Sequence, residues 1–460
     1  MAGIFCKGVC FSSYPPSLLR FGRSWMRVLE MEFVGSQLQH LQLAPLILVL
    51  SIFTYFAVNE WVRYQSRIKH LPHPGGWPVV GNLFQSIQLR NTVHAETYRK
   101  WAQKHGDVFQ IQLGNTTAVV VNSAKSAKAL FLGQSHAMNS RPKFYVFHGK
   151  VSKAVTSIGT SPWDESCKRR RKAAAGALNR TRVESYALIL NLESREFLKD
   201  ILDTVRNEQV AVDFRPAVKR FALNLSLTPK LWHSNLTEDP LLNEIVYVES
   251  EISRYRDTSK NYANYLPILR YWDPIASFLG VREQTNHAAE IGRRRLAYNG
   301  VLLNNLRREV EQGTDKPCIQ GAVVRDPEAA RLTREELISV SLSMMAGADS
   351  NQPTLAWAIL LLAHRPELQE KAYAAIHDAG ILDLPSNSFA STRIAYIDAL
   401  TKEISRYFVV LKLALPKATY TDVEYNGALI PANTMVFLNA WACNRGMSIK
   451  DVRGIILIQY

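Results

Sequence analysis

Apolar residues recur at helical spacing along most of the chain and alternate at strand spacing in only a few short stretches. The helical pattern covers 96–106, 123–133, 164–179, 184–206, 241–257, 283–312, 333–364 and 366–379, and returns around Glu403. Strand patterns occupy 108–113 and 117–121, split by Gly114-Asn115, and reappear at 418–425 and 434–438. No internal repeat is visible. A long array of helices with a small sheet, mainly α with a small β-sheet subdomain, is the predicted architecture.

One apolar stretch differs from the rest. Residues 41–58 carry no charge at all. A bilayer needs roughly 20 apolar residues, and Asn59 and Trp61 extend the run into the interface, where Trp is favoured. Arg63, Arg67 and Lys69 follow, and then Pro72, Pro74 and Pro78 break the chain. The pattern predicts a transmembrane anchor. A buried helix or a signal-peptide core are the other readings, but no small-residue cleavage site follows. The cations after the run place that side in the cytosol, while Arg20, Arg23 and Arg27 before it pull the other way.

Upstream, residues 1–40 form an extension with Lys7, Arg20, Arg23 and Arg27 and no acid before Glu30. That composition suits a mitochondrial presequence; it also suits an extended reading frame with Met31 as the start. Residues 59–82, including Leu71-Pro72-His73-Pro74-Gly75-Gly76-Trp77-Pro78, read as a stiff basic and Pro/Gly-rich hinge. The expected layout is extension 1–40, anchor 41–58, hinge 59–82, main domain 83–445 and a tail of different character at 446–460.

Composition narrows the partners. The 460 residues are 47% hydrophobic with a formal charge of +15, ample for a large core and suited to anionic surfaces. The densest charge is Lys168-Arg169-Arg170-Arg171-Lys172. It lacks the aromatic interleaving of a nucleic-acid surface, so no nucleic-acid partner is expected. Most of the run is expected to face solvent and an acidic redox partner. The 5 cysteines, at 6, 10, 167, 318 and 443, show neither zinc-site spacing nor a disulfide framework, which fits a reduced, cytosol-facing domain.

Candidate chemistry lies in the last third. Ala346-Gly347-Ala348-Asp349-Ser350 puts a glycine and two polar residues inside an apolar helix. A mid-helix glycine costs ~1 kcal/mol relative to alanine and an unpaired buried polar group ~1–3 kcal/mol, so each needs a reason. A kinked core helix with a solvated Asp is one; packing against a flat cofactor is another. Glu403 and Arg406 are three apart on a helix and can pair. Lys417 follows Pro416 at the start of the strand-rich tail.

Taken together, in this order and spacing, these segments resemble the cytochrome P-450 monooxygenases over roughly 70–445. Asn139-Ser140-Arg141-Pro142, Ile158-Gly159-Thr160-Ser161-Pro162-Trp163 and Gly313-Thr314-Asp315-Lys316-Pro317-Cys318 resemble the fungal phenylacetate-type aromatic-acid hydroxylases within that family. The resemblance implies a haem-thiolate monooxygenase in the endoplasmic reticulum membrane, with a mitochondrial location as the alternative. It would take electrons from NADPH through a cytochrome reductase and hydroxylate a small aromatic or secondary-metabolite substrate. It implies that Ala346 and Gly347 lie over the haem and that Asp349 and Ser350 manage protons, with serine where threonine is usual. Trp163, Lys168, Arg169 and Lys417 would meet the haem propionates, and the Glu403–Arg406 pair would be structural. Past Arg445 the family continues into a Phe-x-x-Gly-x-Arg-x-Cys-x-Gly loop that supplies the iron's thiolate; here Gly446-Met447-Ser448 follows instead. No haem-ligand cysteine is therefore expected in this chain, Cys443 lacking the glycine-rich loop, and a truncated, inactive remnant stands beside the active monooxygenase.

Overall fold

The computed structural model describes residues 45–83, 85, 94–205, 210–226, 240–257, 261–271, 277–315, 318–380, 393–446, with the side chains of a few helical residues, 348–350 among them, left out. The extension, its two possible starts and the tail beyond 446 lie outside the described residues. The chain divides into two units, Met1–Gln65 and Ser66–Tyr460.

The described part of the first unit is one helix, α1 (Pro45–Gln65), of 21 residues. At 1.5 Å per residue it is about 32 Å long, enough for a ~30 Å hydrocarbon core. Leu48, Phe53 and Phe56 are all exposed on it. The helix runs past the expected limit at Val58, so the first cation of the expected hinge, Arg63, is helical, while Arg67 and Lys69 lie beyond its end.

The second unit begins its regular structure with α2 (His94–His105), β1 (Val108–Leu113) and β2 (Thr116–Val121). Then come α3 (Glu165–Ala177), α4 (Ala187–Val205), α5 (Arg215–Ser226), α6 (Pro240–Arg256) and α7 (Val281–Gln312). The long α8 (Arg334–His364), α9 (Pro366–Asp378) and α10 (Ala395–Tyr407) follow. The tail adds β3 (Lys417–Ala418), β4 (Val423–Tyr425), β5 (Ala428–Ile430), β6 (Met435–Leu438) and α11 (Ala440–Cys443).

The larger sheet has the order β1-β2-β6-β3. β6 lies parallel to β2, pairing Ala118 with Met435 and Val121 with Leu438, and antiparallel to β3, pairing Lys417 with Val436. Both faces of β2 are covered: Val119 and Val121 enter one apolar cluster, Ala118 and Val120 another. This explains why its sequence is a continuous apolar run rather than an alternation. The pairing also draws the last strands back against the first, and leaves Lys417 half-buried on the edge strand.

Helix α8 starts on a capping box, with Thr333 and Glu336 exchanging side-chain and backbone bonds. It packs against α3 around Leu337, Ile338 and Val340, and against α9 and α10 around Leu361, Leu368, Leu400 and Ile404.

Three expectations change. The single strand foreseen over 418–425 is two pieces in different sheets, because Asn426 and Gly427, at φ 48° and 79°, turn the chain into a β4–β5 hairpin. The helix foreseen over 184–206 starts as a separate turn, Arg180–Ser185, before α4. Finally, α5 was not foreseen; it packs most extensively along α8, and tertiary contact rather than strong periodicity holds it.

Candidate active site

The middle of α8, the end of α10 and the segment leading into β3 enclose a cleft of about 640 Å³. Its walls include Asn351 and Thr354 from α8, Phe408 and Leu411 after α10, and Arg141 and Lys417 at one end. No carboxylate is among its described lining residues.

The cationic end is electrostatically unfinished. Arg141 donates through Nη1 to the carbonyls of Leu415 and Pro416, at 2.6 and 2.9 Å. Its Nε is buried with no partner. Burial, then repulsion from Arg171, lowers its pKa to about 10. Lys417 is lowered further, to about 8, by burial and then by Arg141 and Arg171. Arg171 in turn lies over the Trp163 ring, 5.0 Å from its centroid. Three cations thus share one half-buried region, where an unpaired charge is costly. A planar group with an apolar body and two carboxylates would relieve that cost, and the chemistry of the lining fits such a group at this end.

The predicted site residues fall into three sets. Trp163 and Lys417 are brought together with Arg141 and Arg171. Arg169 is directed elsewhere, pairing with Glu336 at 2.6 Å, which ties α3 to the start of α8; Lys168 pairs with Glu165 at 2.6 Å while lying 5.8 Å from the centroid of the Trp163 ring. Asp349 and Ser350 sit within α8, with their side chains outside the described residues. Ala346 and Gly347 are one turn earlier; a Cβ at Gly347 would meet nothing within 4 Å, so the helix backbone borders open space there.

The basic run is divided: Lys168, Arg169 and Lys172 are exposed, as expected of most of it, while Arg170 and Arg171 turn inward. Arg170 is buried and donates to the Thr156 carbonyl, Ser161 Oγ and Ser339 Oγ at 2.8, 3.0 and 2.5 Å. The helical period turns Arg169 and Arg170 toward α8, and Lys168 and Arg171, three apart, toward Trp163. Sequence reasoning also passed over Arg141 and Arg171 as cleft cations. The one signal for Arg141 was its place before Pro142, which stiffens that turn.

Glu403 is fully buried and grips Arg406 through two bonds, at 2.6 and 2.7 Å. Arg406 Nη1 reaches on to the Asn444 carbonyl at 2.5 Å, and Asn444 returns a bond to the Arg406 carbonyl at 3.3 Å. Arg445 then lies over the Trp441 ring at 3.2 Å. The pair therefore fastens the chain just after α11 to the end of α10.

A narrow recess adjoins the cleft and shares Arg141 and Leu415 with it. Phe144, Phe147, His148 and Arg256 also line it. His148 Nδ1 accepts from the Phe144 N–H at 2.9 Å and Nε2 faces the Thr160 carbonyl at 2.9 Å, so the ring is neutral, and burial lowers its pKa further. The recess holds about 30 Å³, roughly one water. The recess is too small for an aromatic ring.

The family model for cytochrome P450 matches residues 71–448. The chain belongs to the cytochrome P450 family. It is 44% identical to the 3-hydroxyphenylacetate 6-hydroxylase of Emericella nidulans over 395 residues, covering 85% of this chain and 74% of that protein. It is 37% identical to the phenylacetate 2-hydroxylase of the same organism, covering 88% and 76%. A zebra fish cytochrome P450 solved with progesterone shares the fold, with a TM-score of 0.58 at 18% identity over 77% of this chain and 80% of that one. Haem is the cofactor of this family. The cationic end of the cleft fits its propionates. An axial thiolate is a different matter: among the described residues Cys167, Cys318 and Cys443 are buried and none lines the cleft. Burial raises the Cys443 thiol to about 11, far from a resident thiolate.

Proposed function

We propose that this cytochrome P450 hydroxylates a small aromatic acid, using O₂ and electrons passed from NADPH by a membrane-bound reductase. The observation that carries the reading is the pair Arg141 and Lys417 at the end of a mainly apolar cleft, with Arg171 close enough to repel both. The 44% identity to a hydroxylase of 3-hydroxyphenylacetate supports the substrate class.

In this reading Arg141, Arg171 and Lys417 hold the haem carboxylates and Trp163 shields them. Glu403 and Arg406 keep the segment after α11 in place. Bound haem supplies oxygen activation and one-electron chemistry. Gly347 leaves room beside the helix for the flat group, Ser350 Oγ passes a proton toward the reacting oxygen, and the Asp349 carboxyl restores it. Phe408, Leu411 and Leu415 exclude water around the substrate ring. Helix α1 anchors the protein in the endoplasmic reticulum with the domain from about residue 83 in the cytosol. Lys168 and Lys172, on the outer side of α3, face the reductase.

The absence of any described thiol from the cleft favours a second reading, a relative that has lost activity. One experiment separates the two. Membranes containing the chain and a reductase are given NADPH, phenylacetate or 3-hydroxyphenylacetate, and ¹⁸O₂. The first reading expects ring-hydroxylated product carrying one ¹⁸O atom and a thiolate-type ferrous–CO band. Neither signal with any simple aromatic acid would overturn it in favour of the second.

A further inference from the structure

A second cavity, of about 390 Å³, lies away from the cleft, where α7 and α8 meet the segment 150–155. Its walls are mainly apolar: Val151, Val155, Ala289, Leu296, Ile338 and Leu342. Into this apolar space the fold brings several cations and no carboxylate. Arg293 is already paired with Glu290. Lys150 and Lys153 line the opposite wall.

Arg295 is the deciding residue. It is 3% exposed and forms part of the cavity wall. Glu249 takes its Nε and Nη2, at 2.9 and 3.1 Å. The remaining nitrogen, Nη1, is buried without a partner. A guanidinium nitrogen removed from water and left unpaired is costly, and buried unsatisfied groups of this kind mark missing ligands. Glu249 is already committed, to Arg295 and to the Tyr298 hydroxyl. The Tyr298 side chain also bears on the guanidinium, but Nη1 makes no hydrogen bond, so that donor is open to an acceptor from a ligand.

We propose that this cavity binds an apolar carboxylic acid, its carboxylate on Arg295 Nη1 and the ammonium groups of Lys150 and Lys153, and its hydrocarbon body against Ile338 and Leu342. A charge-assisted bond to a buried guanidinium fixes the head, and the apolar walls select the body over a bare inorganic anion. The site needs no haem and stands whether or not the cleft is catalytic.

The test is photolabelling of the purified full chain with 4-azidophenylacetate, followed by peptide mapping. Adducts are expected on 150–155, 289–296 or 338–342, and excess phenylacetate should suppress them at least fivefold. Leu342→Trp and Ala289→Phe fill the cavity from two different helices, and each should lower these adducts about tenfold. Lys153→Gln should lower them less. Uncharged 4-azidotoluene should label the same peptides at least fivefold more weakly. Absence of adducts from all three segments, no suppression by phenylacetate, or equal labelling by azidotoluene would overturn the proposal. Adducts on 405–417 report separately on the cleft, so the two sites fail independently.

Discussion

Lys417→Leu is the most direct probe of the cationic end of the cleft. In the ligand-free protein Lys417 titrates at about 8 against an ordinary 10.5. Between those two pH values the unfolded chain binds more protons than the folded one, so stability rises with pH through that window. Below pH 8 the penalty is fully present; above pH 10.5 it is gone. The unscreened shift corresponds to about 3.4 kcal/mol at 1.36 kcal/mol per pKa unit. The lysine is only half-buried, so solvent screening leaves roughly 1–2 kcal/mol. Replacing it should therefore stabilise the ligand-free protein by about that amount at pH 7 and by clearly less at pH 10.5. Urea melts of both proteins at the two pH values measure the double difference, which cancels the general effect of adding a leucine. The same substitution should weaken a dicarboxylate porphyrin. Metal-free protoporphyrin IX needs no axial ligand, and its fluorescence reports binding. Its affinity should fall at least ~tenfold in Lys417→Leu, about 1.4 kcal/mol, while that of its dimethyl ester stays unchanged. A gain in stability that is the same at both pH values, or an equal loss for the acid and the ester, would refute the electrostatic account.

Glu403→Ala should destabilise the folded domain by about 3–5 kcal/mol, because it strands a partly buried guanidinium whose other bond holds Asn444; a loss under 1 kcal/mol in chemical denaturation would show that the pair carries little. In an active preparation, Asp349→Asn and Ser350→Ala should divert oxygen to peroxide, with product formation falling ~10²–10⁴-fold for a lost proton-transfer group; full coupling in Ser350→Ala would remove that serine from the mechanism. Cys443→Ser should leave any ferrous–CO spectrum unchanged, since the thiol is buried outside the cleft and raised to about 11. A spectral change in this variant would show that Cys443 does reach the iron.

The helices and the Glu403–Arg406 pair were legible because their signals are local. An apolar period of 3.6 and an i, i+3 charge pair need no knowledge of what lies across the fold. The pair's second task was not legible. Its partner, the Asn444 carbonyl, lies 38 residues away and is a backbone group that every residue possesses. The division of the basic run was harder to read for a related reason. From sequence, Lys168 and Arg169 were expected at the propionates and the rest in solvent, but a helix turns by 100° per residue and divides the run differently. Arg170 goes inward to Ser339, Arg169 to Glu336, and Arg171 over Trp163.

The cationic cluster shows where local reading stops and topology begins. Arg141, Arg171 and Lys417 come from a loop, a helix and an edge strand, and the bridge between Ser140 and Ala418 sets Arg141 beside Lys417 while β3 pairs with β6 on its other side. Nothing in the neighbourhood of any one of them announces the meeting. Their mutual repulsion is unfavourable to the fold itself, and a bound dianion would offset it. The same logic applies to Arg295. There a buried cation has one carboxylate and one donor left over. In both places the protein's own contacts leave charge unmatched, so a missing anion explains more than any further packing argument. The two sites differ in what surrounds the charge. Around Lys417 the space is the larger, set between the middle of α8 and the segment after α10; around Arg295 it is smaller and lined by branched aliphatic side chains. That contrast predicts a porphyrin carboxylate at the first and a compact organic acid at the second, and it is the shape of the apolar surface, not the charge, that assigns them.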